Sequence, residues 1–240
     1  MLSYKLSRLA ACPLKSPRDL MQRIVLVNPN TSEPLTALMA EIARENAPAC
    51  FRIDGLTAPF GAPLLTNEAE VDEAARAVRA LAPELAQSAD AVIVSAFGDP
   101  GADELAALLE RPVVGIAEAS MRAAAANGRR FAVVTHTGRL VRRMALRADE
   151  IGLGAHCVGV LATEGDAIAL MATPVELESA LQVLAQQAVT EHGAEAIVIG
   201  GGPLGRVAKA LSGKVDVPVI EAIPEAVRYL AAALGAAATR

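Results

Sequence analysis

The chain has no tryptophan and very few other aromatic residues, so its interior must be built almost entirely from aliphatic side chains. It contains two tyrosines and four phenylalanines among 240 residues, yet 53% of the residues are hydrophobic. Small and branched aliphatic side chains suit a buried parallel sheet that is covered by helices on both faces. The composition therefore favours an α/β protein with a large core.

Cysteine is also scarce. Cys12, Cys50 and Cys157 are widely separated, without the spacing of a metal site and without the even number that a disulfide framework needs. Unpaired thiols are typical of a reducing compartment, so the sequence predicts a cytoplasmic protein with no metal site.

Long apolar runs and an excess of basic residues are absent as well. No run approaches the roughly 20 apolar residues that cross a bilayer, and no apolar signal-peptide segment follows the basic residues near the start. The net charge of -5 comes without the basic stripe that nucleic-acid binding requires. We therefore expect no membrane or nucleic-acid partner, and we interpret residues 1–21 as an N-terminal extension.

Short aliphatic runs alternate with longer amphipathic segments from residue 22 onwards, and this alternation predicts parallel strands joined by helices. A single long helix is predicted from Thr66 to Leu85. The predicted strands are Ile24–Val27, Phe51–Leu56, Ala91–Val94, Val113–Ile116, Phe131–Thr135, Cys157–Leu161, Ala196–Ile199 and Val217–Glu221.

Two of these strands end in glycine-rich segments, Ser95–Gly101 and Gly200–Gly205. The first strand ends in a polar segment, Asn28–Ser32, which contains two asparagines. Ligands of open α/β sheets bind where strands end and helices begin, because free backbone N–H groups there can hold an anion. The three strand exits together predict a binding site for a small anionic molecule.

These three exits resemble those of the hydantoin racemase and aspartate/glutamate racemase superfamily, over about residues 22–235. The resemblance implies two similar Rossmann-like lobes with a cleft between them, at 22–118 and 119–221, with 222–240 returning as a helix to the first lobe. It also implies chemistry that needs no cofactor. Whether the protein forms a homo-oligomer stays open.

The resemblance further implies one catalytic cysteine in each glycine-rich exit. The corresponding residues of this chain are Ala96 and Gly201. Neither can exchange a proton, so a two-thiol racemisation at these positions is excluded.

His136 and Ser95 are the predicted catalytic residues. His136 follows a strand of the second half, and an imidazole that titrates near neutrality can supply one acid/base function. Ser95 precedes the expected cysteine position, although its hydroxyl is a poor base without a partner. Asp99 is predicted to cap the helix that follows it or to brace its loop. The predicted substrate-binding residues are Asn28, Asn30, Thr31, Ala96, Phe97, Gly98, Thr135, Thr137, Gly201 and Gly202.

Several functions remain open at this point. The first is a racemase-like enzyme acting on a small carboxylate or a hydantoin; the others are a decarboxylase or other lyase with the same anion pocket, and a binding protein without catalysis. Gly200-x-Gly202-x-x-Gly205, followed by Glu221, also matches a dinucleotide-binding fingerprint. We expect instead that Pro203, at the start of the following helix, requires only a short turn here and not a bound pyrophosphate.

Overall fold

The structure, a computed structural model, describes residues 21–235 and contains two parallel four-stranded sheets with the same strand order. The first sheet is ordered β2-β1-β3-β4, with β1 at Gln22–Asn28, β2 at Phe51–Thr57, β3 at Ala91–Val94 and β4 at Val113–Gly115. The second is ordered β6-β5-β7-β8, with β5 at Phe131–Thr135, β6 at Cys157–Ala162, β7 at Ala196–Gly200 and β8 at Val219–Ile220. The predicted α/β fold with two Rossmann-like lobes is confirmed. Most of the predicted N-terminal extension, residues 1–20, lies outside the described residues.

Helices connect the strands throughout the described range. The α-helices are α1 (Glu33–Asn46), α2 (Glu68–Ala80), α3 (Ala82–Ser88), α4 (Ala102–Leu108), α5 (Ile116–Ala124), α6 (Val141–Glu150), α7 (Ala167–Met171), α8 (Pro174–Thr190), α9 (Gly205–Leu211) and α10 (Ala222–Ala233). Short 3-10 turns occur at Ala126–Gly128, Gly138–Leu140, Gly154–His156 and Gly202–Leu204. Among residues 21–235, no helix is long and apolar enough to cross a membrane.

The predicted single helix from Thr66 to Leu85 is wrong, because the structure divides it into α2 and α3 at Leu81. Pro83 lies in the first turn of α3. A proline inside a continuous helix would lack its N–H and collide with the preceding turn, whereas the first turn needs no such donor.

Two predicted strands are also shorter than expected. Strand β4 ends at Gly115, and α5 begins at the next residue. At the edge of the second sheet, only Val219 and Ile220 pair with β7. Pro218, just before them, has no N–H with which to extend the pairing.

One hydrophobic cluster connects the two sheets. Ile24 and Leu26 of β1 belong to the same buried cluster as Phe131 and Val133 of β5, together with Leu230 of α10. Helix α10 packs against α1, α5 and β4. The lobes therefore share a core, and the carboxyl ends of their strands are held close together.

Candidate functional site

The glycine-rich exit of β7 lies directly against the exit of β3. A Cβ atom added to Gly202 would lie 2.9 Å from the backbone oxygen of Ser95 and 2.5 Å from Sδ of Met39. A Cβ atom on Gly200 would lie 2.8 Å from Cγ1 of Val133. Gly202 is thus needed for the close approach of the two lobes, and Gly200 for the packing of β7 against β5 within the second lobe. No open cradle for a pyrophosphate is left at Gly202. The structure does not support the dinucleotide interpretation.

A cavity lies between these strand exits and contains about 440 Å³ of empty space, part of it open to solvent. We call it the inner compartment. Eight predicted site residues line it, namely Asn30, Ser95, Ala96, Phe97, His136, Thr137, Gly201 and Gly202. Two further wall residues, Gly200 and Pro203, belong to the predicted glycine-rich exit. The prediction missed the other four walls, which are Leu64, Leu65, Leu140 and Met144. These are apolar residues of loops and helices, and nothing in their local sequence distinguishes them from core residues.

The two positions assigned to cysteine by the resemblance, Ala96 and Gly201, both line the inner compartment. Neither of the cysteines in the described range, Cys50 and Cys157, does so. A Cβ atom on Gly201 would lie 3.7 Å from Cε1 of His136. The imidazole of His136 therefore lies beside the space that a side chain at position 201 would occupy.

His136 is 3% exposed, and neither of its ring nitrogens has a hydrogen-bond partner among the described residues. Burial lowers the pKa of His136 to about 4, so the expectation that it titrates near neutrality is wrong. The ring is uncharged at pH 7 and keeps one nitrogen available as a proton acceptor. A bound anion would raise this pKa, because it would favour the imidazolium form. Buried polar groups are normally satisfied, so the two free nitrogens point to a ligand contact.

Asn30 is oriented towards the compartment by its neighbours. Its Oδ1 accepts hydrogen bonds from Nδ2 of Asn28 at 2.8 Å and from the backbone N–H of Ser32 at 2.9 Å. Within residues 21–235 its own Nδ2 has no such partner, so this amide can donate to a ligand. Asn28 is fully buried and does not line the compartment. Thr31 does not line it either, and its backbone N–H donates to the oxygen of Ala62 at 3.0 Å.

Other predicted site residues brace the strand exits. The hydroxyl of Ser95 donates to Sδ of Met39 at 3.1 Å, and a thioether is too weak a base to activate it. Thr135 is fully buried, and its hydroxyl donates to the backbone oxygen of Gly200 at 2.7 Å, which ties β5 to β7. Gly98 faces a different cleft, close to Arg143.

Asp99 braces its loop, which is one of the two predicted alternatives, and its side chain does not cap the following helix. Its buried carboxylate accepts from the backbone N–H groups of Ala117 and Glu118, both at 2.8 Å, in the first turn of α5. It also accepts from Nε of Arg147 in α6 at 3.0 Å. A Cβ atom on Gly115 would overlap the Asp99 carboxyl group, so glycine is required there. Asp99 thus ties the exit of β3 to a helix that follows β5 in the second lobe.

The arrangement described so far matches one protein family over most of the chain. A family model described as Asp/Glu/hydantoin racemase matches residues 24–230. The chain belongs to this family. The matched stretch includes the strands of both lobes.

Individual relatives support the same assignment. The hydantoin racemase of Rhizobium meliloti is 32% identical over 217 residues, which cover 89% of each chain. The hydantoin racemase of Paenarthrobacter aurescens is 30% identical over 221 residues, 86% of this chain and 88% of that one. The crystal structure of an allantoin racemase from Pseudomonas fluorescens is 33% identical, with a TM-score of 0.84, and the match covers 91% of this chain and 94% of that chain.

Proposed function

We propose that this racemase-family protein is an enzyme that exchanges the acidic proton at the stereogenic carbon of a small hydantoin-type or carboxylate substrate. His136 is the proton-transfer residue, and no pair of thiols is involved. One observation carries the proposal: among the described residues that line the inner compartment, His136 alone has a side chain of the His, Cys, Asp, Glu, Lys or Arg type. Its two nitrogens are also uncommitted.

The chemistry needs only one base. The carbon–hydrogen bond that breaks is next to a carbonyl group, so its electron pair moves onto oxygen as an enolate-like anion while the neutral imidazole of His136 takes the proton. The amide of Asn30 and backbone N–H groups at the two glycine-rich exits are the proposed donors to this oxygen. The imidazolium then passes its proton to solvent. Return of a solvent proton to the opposite face of the carbon inverts the centre.

A decarboxylase remains the second candidate, because loss of carbon dioxide from a substituted malonate leaves the same type of anion. That reaction needs one proton donor, and the inner compartment offers one titratable group. The racemase-named relatives favour proton exchange over decarboxylation.

Incubation of the full chain in deuterated buffer tests the proposal and separates the candidates. The substrates are single enantiomers of 5-substituted hydantoins and of amino acids, together with substituted malonates. Proton NMR and chiral chromatography should show deuterium incorporation and loss of optical purity without net conversion. Release of carbon dioxide from malonates alone would instead identify a decarboxylase. Binding without either reaction would identify a binding protein and overturn the proposal.

A further inference from the structure

A second cavity adjoins the inner compartment and shares two of its walls, His136 and Thr137. We call it the outer compartment; it contains about 800 Å³ of empty space and is partly open to solvent. Thr66 lines it from the same segment that contributes Leu64 and Leu65 to the inner compartment. The two compartments therefore lie side by side along one wall, with His136 at their junction.

The outer compartment contains uncommitted polar groups. The hydroxyl of Thr163 is buried and has no hydrogen-bond partner among the described residues. Arg139 also lines the cavity and forms no ion pair within residues 21–235. The one carboxylate in the lining, Asp166, already accepts the backbone N–H groups of Ile168 and Ala169, at 2.8 and 2.9 Å. The groups without a partner are thus the Arg139 guanidinium and the Thr163 hydroxyl. Both can donate a hydrogen bond to an oxygen atom of a ligand.

We infer that the outer compartment binds a carboxylate-bearing arm of the substrate, with Arg139 as the charged contact and Thr163 as the hydrogen-bond contact. The reacting carbon then stays in the inner compartment beside His136. This inference rests on the proposed function and narrows its substrate class to small hydantoins or amino-acid derivatives that carry a second, anionic group. A guanidinium pairs more strongly with a carboxylate than with a neutral carbonyl, so charge on the arm should dominate recognition.

Three 5-substituted hydantoins with arms of equal length test the inference, one ending in a carboxylate, one in a carboxamide and one in a methyl group. We expect the unmodified protein to have the lowest KM for the carboxylate. Arg139→Gln should raise the KM for the carboxylate by roughly ten- to a hundred-fold, the contribution of a hydrogen bond to a charged group, and should change the KM for the methyl compound far less. Thr163→Val should raise the KM for the carboxylate by a smaller factor.

Arg142→Gln is the matched control. Arg142 is an exposed arginine of α6 that lines neither compartment, so its loss removes the same charge without removing the contact. The KM for the carboxylate should stay unchanged in this variant. Equal KM values for the three compounds in the unmodified protein, or equal effects of the two arginine variants, would overturn the inference while leaving the proposed function in place.

If none of the three compounds is turned over, the same series is measured by calorimetry. A preference for the carboxylate that depends on Arg139 but not on Arg142 would support the binding of a carboxylate arm in the outer compartment, even though the proposed reaction had failed. Binding without that preference would overturn the inference, and so would the absence of binding by all three compounds.

Discussion

A buried histidine without hydrogen-bond partners costs folding free energy, because both ring nitrogens lose water and gain nothing in return. His136 is such a residue, at the junction of two cavities and beside the side-chain space of Gly201. An apolar residue could occupy this position without that cost. Its placement is best explained by a ligand that completes its hydrogen bonding.

Replacement of His136 by asparagine should slow deuterium exchange by roughly two to four orders of magnitude, the usual contribution of a positioned general acid or base. Ligand affinity should change much less, because the proposed anion donors belong to other residues. In the unmodified protein, kcat/KM should fall as the pH drops through about 4, where the free base becomes protonated. NMR exchange rates measured from pH 3.5 to 8 check both points. Normal turnover in His136→Asn with an unaltered pH profile would make the residue structural.

Gly201 offers a second test at the scale of one residue. Alkylation with iodoacetamide should leave the unmodified protein active, because no cysteine of the described chain lines the inner compartment. Burial also raises the pKa of the Cys157 thiol and lowers its reactivity. Gly201→Cys should fold, since a Cβ atom there meets the flexible side chain of Leu204, and it should become sensitive to iodoacetamide.

The substrate should slow the alkylation of Gly201→Cys. Gly202→Ala is the contrasting variant, because its Cβ atom would meet the backbone oxygen of Ser95 at 2.9 Å, and it should destabilise the fold. Inactivation of the unmodified protein at a rate that substrate slows would show that a thiol reaches the site.

At the scale of secondary-structure elements, Asp99 connects the exit of β3 to helices α5 and α6. It satisfies two N–H groups at the start of α5 and neutralises Arg147, whose side chain is 3% exposed. The loop that carries Ala96 and Phe97 is thereby anchored to α6 of the other lobe. Helix starts in a protein interior need such partners, because their first N–H groups have none within the helix.

Asp99→Asn should lower the free energy of unfolding by about 2–4 kcal/mol, since it leaves Arg147 short of a buried counter-charge. Asp103→Asn is the control. Asp103 also contacts Arg147, but its side chain is 70% exposed, so its loss should cost less than about 1 kcal/mol. Urea unfolding followed by circular dichroism gives both values. Equal losses of unfolding free energy in the two variants would show that the buried Asp99–Arg147 contact stabilises the fold no more than the exposed one.

For the whole molecule, two buried groups give the stability opposite pH dependences. The pKa of His136 is lowered from 6.5 to about 4, so between these values the unfolded chain binds a proton that the folded chain does not, and stability falls as the pH falls. Burial raises the pKa of Asp99 from 3.8 to about 6, so in that range stability falls as the pH rises. The two effects partly cancel between pH 4 and 6.

Comparison with His136→Asn isolates the histidine, because the Asp99 effect is present in both proteins. Relative to this variant, the unmodified protein should lose about 3 kcal/mol of unfolding free energy between pH 7 and pH 4, which corresponds to the lowered pKa. Urea titrations at several pH values measure the difference in unfolding free energy between the unmodified protein and His136→Asn. A difference that does not change with pH would mean that His136 is hydrated or partnered in solution.

Some errors of the sequence-based prediction come from signals that were present in the chain. Pro83 marks the division between α2 and α3, and Pro218 marks the late start of β8. The bracing role of Asp99 was one of the predicted alternatives, but its partners had no local signal, because Ala117 and Arg147 are 18 and 48 residues away. Likewise, nothing local shows that Thr163 and Arg139 line one cavity with His136.

The sequence by itself determined the alternation of strands and helices, the glycine-rich exits and the kinds of side chain available there. The absence of a thiol at Ala96 and Gly201 is one such property, since folding does not change which groups a residue carries. Tertiary structure alone decided the pKa of His136, the partners of Asp99 and the pairing of the two compartments. These depend on burial and on contacts between distant segments, and desolvation and close approach exist only once both lobes have packed together.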